Sequence, residues 1–89
     1  MDTKFKKELK ARAHHLNPVI LLGAKGLTDA VIAETDIALE AHELIKVSMK
    51  GADKDERRAM ATKICTELAA EVVQHIGNIA VLYRKKIDK

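Results

Sequence analysis

Gly23-Ala24-Lys25-Gly26 is the segment of this sequence with the most chemical promise. Two glycines three apart let the chain turn sharply and let another backbone approach without a Cβ in the way. Leu27-Thr28-Asp29 follows and reads as a helix start, with Thr28 as N-cap and Leu27 placed to staple against Ile32. A helix N-terminus offers free N–H groups to phosphate oxygens, and Lys25 adds a mobile positive charge beside them. The chemistry on offer is anion binding. Asp29 opposes it in part, because a carboxylate in the first turn uses some of the same positive helix end. Taken alone, an ordinary glycine-containing turn explains these four residues equally well.

Two more basic groups could serve the same chemistry. Lys4, Lys6, Lys7, Lys10 and Arg12 lie near the N-terminus, and Arg84-Lys85-Lys86 follow the last apolar run. Solvated terminal charge is the plain explanation of both. Gathered on one surface with the loop, they would contact several phosphates and give strongly salt-dependent binding. The net charge is only +3, but five acidic residues and no Lys or Arg lie between Asp29 and Glu43. The rest of the chain therefore holds all 16 basic residues, a polarity that can give one basic and one acidic surface.

Catalytic chemistry is thinly represented. Ser48 is the only serine and falls within a strand pattern, while Cys65 lies on the apolar stripe of a helix, where core packing explains it. His14 and His15 are adjacent and project about 100° apart on a helix; His42 and His75 have no Cys or His at metal-ligand spacing. The glycine loop lacks the Gly-Lys-Ser/Thr ending of a nucleotide-binding P-loop. We expect no enzyme, no metal, no cofactor and no small-molecule substrate. Phe5 belongs to an apolar stripe, which leaves Tyr83 as the one candidate for base stacking. Single-strand readers use several exposed aromatics, so any RNA recognised here is expected to be folded and read by backbone and shape.

The elements that must position these residues follow from periodicity. Phe5, Leu9, Ala13 and Leu16 mark a helix over about 3 to 15, with Lys6, Lys10 and His14 on another face. Asn17-Pro18 ends it. The continuous apolar run Val19-Ile20-Leu21-Leu22 reads as a strand buried on both faces, hence central. A second helix runs from Asp29 to about His42, burying Val31, Ala38 and Leu39 and leaving Glu34, Asp36 and Glu40 wet. Residues 44 to 49 alternate with period two, a half-exposed strand with Lys46 and Ser48 on its polar face. Asp53 and Glu56 make a capping pair for a third helix over about 54 to 70, with Met60, Ile64, Cys65 and Leu68 inward. Glu71 to Ile76 could extend that helix, but the turn signal Gly77-Asn78 and the strand Ile79 to Tyr83 after it favour a hairpin.

The order α-β-α-β-α-β-β predicts one α/β domain over residues 1–89, a four-stranded mixed sheet packed with three helices. Hydrophobic residues at 47% and charged residues at 33% suit a folded domain, and no apolar run is long enough to span a bilayer. With no secretory pattern in Met1 to Phe5 and a single cysteine, we expect a cytoplasmic monomer.

Ordered segments carry a resemblance. They are Leu16-Asn17-Pro18-Val19, Leu22-Gly23-Ala24-Lys25-Gly26-Leu27-Thr28, Ala38-Leu39, His42-Glu43-Leu44-Ile45-Lys46-Val47, Ile76-Gly77 and Val81-Leu82-Tyr83-Arg84. In this order they resemble the CRM domain family (chloroplast RNA splicing and ribosome maturation), specifically its stand-alone bacterial YhbY-like members. The resemblance implies a sheet similar to that of the C-terminal domain of translation initiation factor three. It also implies RNA binding through the glycine loop and neighbouring basic surface, on ribosomal RNA of the large-subunit precursor. Carried onto this chain, the resemblance gives the loop Gly23, Ala24, Lys25 and Gly26, with Lys46 and Arg84 at matching basic positions; the basic groups read above add Lys6, Lys7, Lys10 and Lys85 as expected contacts. Asn78 stands where relatives commonly place Lys or Arg, which argues against a phosphate contact from that turn residue. The competing readings are a protein-interaction module working through the acidic second helix, and a small DNA-binding protein.

Overall fold

The computed structural model describes residues 2–23 and 25–86. Its elements run α1 (Thr3–Ala13), β1 (Ile20–Leu21), α2 (Asp29–His42), β2 (Leu44–Ser48), α3 (Lys54–Leu68), β3 (Glu71–Ile76) and β4 (Ile79–Tyr83). All three helices begin on side-chain caps. The Phe5 N–H donates to Asp2 Oδ1 at 2.7 Å, the Val31 N–H to Thr28 Oγ1 at 3.2 Å and the Glu56 N–H to Asp53 Oδ1 at 2.9 Å. Each cap occupies one of the N–H groups that helix geometry leaves without an intrahelical partner. The contact with the Glu56 N–H holds the Asp53 carboxyl below the usual range, and the side-chain hydrogen bond between the two raises Glu56.

The four strands form one mixed sheet in the order β1-β2-β4-β3, with β1 parallel to β2 and the other pairs antiparallel. Two apolar layers follow from the pleat. Ile45, Val47, Ala80 and Leu82 face α2 and α3, where they meet Leu39, Ala61 and Ile64. Leu44, Val73 and Val81 face α1, where they meet Leu9 and Ala13. Thr35 is buried within α2, its hydroxyl satisfied by donating to the Val31 carbonyl at 2.7 Å.

Two strand expectations change places. β1 is an edge strand, not a central one: Val19 is 50% and Leu21 71% exposed, while Ile20 and Leu22 are buried. An all-apolar run conceals its period, and here the alternation that an edge strand shows in burial is absent from its residue types. β2, expected to be half-exposed, is a central strand with buried Leu44, Ile45, Val47 and Ser48 and half-buried Lys46. Its two polar side chains lie on the α1 side of the sheet, opposite Ile45 and Val47.

Register places the turns. Leu21 pairs with Ser48, Ser48 with Ile79 and Ile79 with Ile76, so these four residues form the last row at one end of the sheet. The connections after β1 and β2 and the β3–β4 turn all leave from that end. At the other end Leu44 pairs with Tyr83 and Tyr83 with Glu71. There the Phe5 ring meets Tyr83 edge-on at 5.3 Å, which anchors α1.

Candidate functional site

The glycine loop stands at the turn-bearing end of the sheet. It closes on itself through the Gly26 N–H, which donates to the Gly23 carbonyl at 3.0 Å. Gly26 takes φ +69, a left-handed conformation that favours glycine, and a Cβ there would meet only Met60 Sδ at 4.0 Å. Gly23 differs. It has no left-handed φ, and nothing lies within 4 Å of where its Cβ would be. The protein's own packing therefore gives no reason for glycine at 23; what its absent side chain leaves is backbone that another molecule can approach.

Lys25 is exposed on this loop. Ala24, also expected to contact RNA, lies outside the described residues. Behind the loop, Thr28 caps α2 through Val31, so by helix geometry the N–H groups of Asp29 and Ala30 have no intrahelical partner. Asp29 is exposed in that first turn and lowers the positive potential there.

A cleft of about 580 Å³ separates the loop from the β2–α3 connection, with Gly23 and Gly26 on one wall and Lys50 and Gly51 on the other. The Met49 N–H donates to the Asn78 carbonyl at 2.8 Å, tying that connection to the hairpin turn. Lys50 is exposed beside the cleft, although in the sequence it reads only as the polar end of a strand. Lys54, Arg57 and Arg58 likewise lie outside the expected contacts. They recur at i, i+3 and i+4 and so share one helix face, a spacing legible in the sequence once polar faces are read as carefully as apolar ones.

The remaining expected contacts do not join the loop on one surface. Lys6 and Lys7 are exposed on α1 and Lys10 is half-buried, on a helix seated over the Leu44 and Tyr83 end of the sheet. Lys85 is exposed just past Tyr83, at that same end. The two ends are about 13 Å apart, four residue steps along β2. Lys46 is half-buried in the central strand.

Arg84 departs furthest from the expected role. Its Nη1 donates to Asp36 Oδ1 at 2.7 Å and to the Leu68 carbonyl at 3.0 Å. Its Nη2 donates to the Asp36 carbonyl at 3.1 Å and to Glu40 Oε2 at 3.3 Å. With the side chain only 17% exposed, the guanidinium is a clamp between α2 and the end of α3 rather than an open phosphate contact. These are the only ion pairs among the described residues. Tyr83, the one candidate for base stacking, is half-buried and engaged with Phe5.

No cluster of three or more His, Cys, Asp or Glu side chains able to hold a metal ion occurs among the described residues. The Cys65 thiol is pushed up to about 11 by burial, with the Glu71 carboxylate adding to the effect. His75 is lowered from its ordinary value by burial and then by the nearby Arg58 and Arg57 charges.

The fold is an α/β domain that gathers turns, glycines and lysines at one end of its sheet. The chain belongs to the CRS1/YhbY (CRM) domain family, which it matches over residues 1–84. It is 51% identical over 84 residues to an RNA-binding protein of Haemophilus influenzae, covering 94% of this chain and 85% of that one. It is 45% identical over 80 residues to a probable RNA-binding protein of Pseudomonas aeruginosa, covering 90% and 77% of the two chains. Among solved structures it resembles the solution structure of a hypothetical Staphylococcus aureus protein named as an RNA-binding candidate. There the TM-score is 0.85 at 31% identity, over 99% of this chain and 92% of that one.

Proposed function

We propose that this protein binds ribosomal RNA of the large-subunit precursor as a non-catalytic maturation factor, acting as a cytoplasmic monomer. The observation that carries the reading is the glycine loop. Lys25 is exposed with no carboxylate within ion-pair distance among the described residues, and beside it Gly23 leaves approachable backbone for no internal reason. Together they suit a phosphate whose oxygens take the lysine and the first N–H groups of α2. Lys50, across the cleft, extends the charge along the ligand's path. RNA is the ligand favoured because relatives of this family carry RNA-binding names. Folded RNA is favoured over single strands because neither aromatic ring is at the loop end.

The acidic-helix alternative is weakened by the structure. Of the five acids between residues 29 and 43, Asp36 and Glu40 pair with Arg84, and the Glu43 carboxylate accepts the Lys86 N–H at 3.0 Å. The deciding experiment sediments tagged protein from a lysate through sucrose at low and moderate salt, alongside a Lys25→Glu variant. Wild-type protein should travel with large-subunit precursors at low salt and leave them as salt rises, and Lys25→Glu should be released at lower salt. Protein remaining at the top of the gradient in all conditions would overturn the reading.

A further inference from the structure

The first two turns of α3 border two concavities. Glu56 and Met60 line the cleft shared with the glycine loop. On another face of the helix, Lys54, Arg57 and Arg58 line a separate pocket of about 180 Å³, closed on its far side by His75 and Gly77 of the hairpin. We propose that this pocket holds one phosphate of the RNA backbone, a second anchoring point for the RNA that the glycine loop contacts. The proposal rests on the RNA-binding reading above.

Five observations carry it. The polar side chains lining the pocket are three cations and an imidazole, with no carboxylate among them. Of the acids near this turn, Asp53 and Glu56 share a hydrogen bond, Glu56 faces the other cleft, and exposed Asp55 is not part of the pocket lining. None of Lys54, Arg57 or Arg58 forms an ion pair among the described residues, so their charge is not neutralised by a close internal partner. Arg57 is held in place, its Nη1 donating to the Ala52 carbonyl at 2.7 Å, which orders the guanidinium before any ligand arrives. Gly77, at φ +56 with open space where a Cβ would lie, leaves the far wall free of a side chain.

Size selects the ligand. The cavity lies well below the roughly 300 Å³ at which small-molecule sites begin, so it suits one tetrahedral anion rather than a whole metabolite. His75 is lowered first by burial and then by Arg58 and Arg57, and the second contribution agrees with a positive field in the pocket. Position ties the pocket to the loop. Both lie at the turn-bearing end of the sheet, and between β1 and the β3–β4 turn the sheet is about 12–14 Å wide. One folded RNA lying across that end reaches both.

The test measures binding to transcribed large-subunit ribosomal RNA as a function of salt, for wild type and three variants. Lys54→Gln/Arg58→Gln removes two exposed cations and leaves the Arg57 contact to Ala52 intact. Lys63→Gln, exposed further along α3 and outside the pocket, controls for loss of general positive charge, and Lys25→Glu reports on the loop. Losing one phosphate contact should weaken binding about five- to eightfold at 0.1 M salt and flatten the salt slope by about 0.7–0.9. That result for the double variant, with Lys63→Gln within twofold of wild type, supports the pocket whether or not Lys25→Glu also weakens binding. If Lys25→Glu weakens binding and the double variant does not, the pocket is wrong and the RNA reading stands. A loss in Lys63→Gln equal to that of the double variant means diffuse charge and overturns the pocket. Wild-type protein that fails to bind the RNA overturns both.

Discussion

Replacing Arg84 by methionine should destabilise the fold by about 2 kcal/mol while leaving RNA affinity within about twofold. Methionine keeps an apolar stem and removes the guanidinium, so the loss falls on four contacts. The carbonyls of Leu68 and Asp36 lose a charged donor, and Leu68 is the last residue of α3, where helix geometry supplies no other partner. Those two bonds together account for about 1.5 kcal/mol, below the usual range for two charge-assisted bonds because water competes for the exposed one. The ion pairs add only about 0.5 kcal/mol, because Asp36 and Glu40 are 54% and 60% exposed and water screens them. Urea unfolding followed by circular dichroism measures the sum. With a slope of about 1 kcal/mol per molar for so small a chain, the midpoint should fall by about 2 M. Arg84→Lys, which keeps the charge and loses the fork, should fall about half as far. A methionine variant of wild-type stability that no longer binds RNA would refute the reasoning, since Arg84 would then be a ligand contact and not a clamp.

The two glycines of the loop should separate stability from binding. Gly26→Ala should cost about 1 kcal/mol through its left-handed backbone, whereas Gly23→Ala should melt like wild type and yet bind RNA more weakly. Equal RNA affinity for wild type and Gly23→Ala would remove close backbone approach from the proposal. Ala69 ends α3 at φ 55 and ψ 41, with the Ala70 N–H closing onto the Cys65 carbonyl at 3.0 Å, so Ala69→Gly should raise stability by about 0.5–1 kcal/mol in the same urea assay. With its thiol pushed up to about 11, Cys65 should react with an aromatic disulfide at pH 8 roughly a hundredfold more slowly than free cysteine. His75 has a folded value below its ordinary 6.5, so its neutral form is the one the fold prefers. Its effect on stability is therefore absent above pH 6.5 and grows as pH falls from there toward the folded value; urea midpoints should drop less for His75→Gln than for wild type between pH 7.5 and 5.5.

The elements were legible because local signals mark them. Thr28 and Asp53 announce helix starts and Gly77-Asn78 sets the hairpin, while the first helix ends at Ala13, short of the Asn17-Pro18 stop. Strand order was not legible. Val19 to Leu22 and Leu44 to Met49 carry opposite patterns, and each pattern pointed to the other strand's place. Helix packing decides this: α1 covers the α1-side residues of β2 and leaves Leu21 open, although Leu21 is apolar and Lys46 is not. The glycine loop was found from residue types, but its neighbours were not. Lys50, Arg57 and Arg58 reach the same end of the molecule through sheet register, a long-range relation absent from any local window. Arg84 looked like one of three consecutive basic residues, and only the α2–α3 junction distinguishes it from Lys85.

The fold divides its chemistry between the two ends of the sheet. Tyr83 and Phe5 meet at one end, so neither ring is free to stack on a base, and Arg84 closes the α2–α3 junction beside them. At the other end stand three turns, three glycines with left-handed backbone at Gly26, Gly51 and Gly77, and cations that no internal carboxylate holds. Such an end can match the spacing of phosphates but has little with which to distinguish bases, since specific readout needs side chains aimed at base edges or rings stacked on base faces. On the proposed reading, selectivity for one RNA would have to come from its shape: a fold whose phosphates reach both the loop and the α3 pocket would be held twice, and one that cannot would be held by a single contact. Two modest contacts on one rigid sheet end act at high effective concentration, so their joint loss should exceed either single loss by far. Combining Lys25→Glu with Lys54→Gln/Arg58→Gln should therefore reduce affinity at least as much as the product of the separate reductions, and a combined loss no larger than the greater single one would mean that the two sites never hold the same RNA.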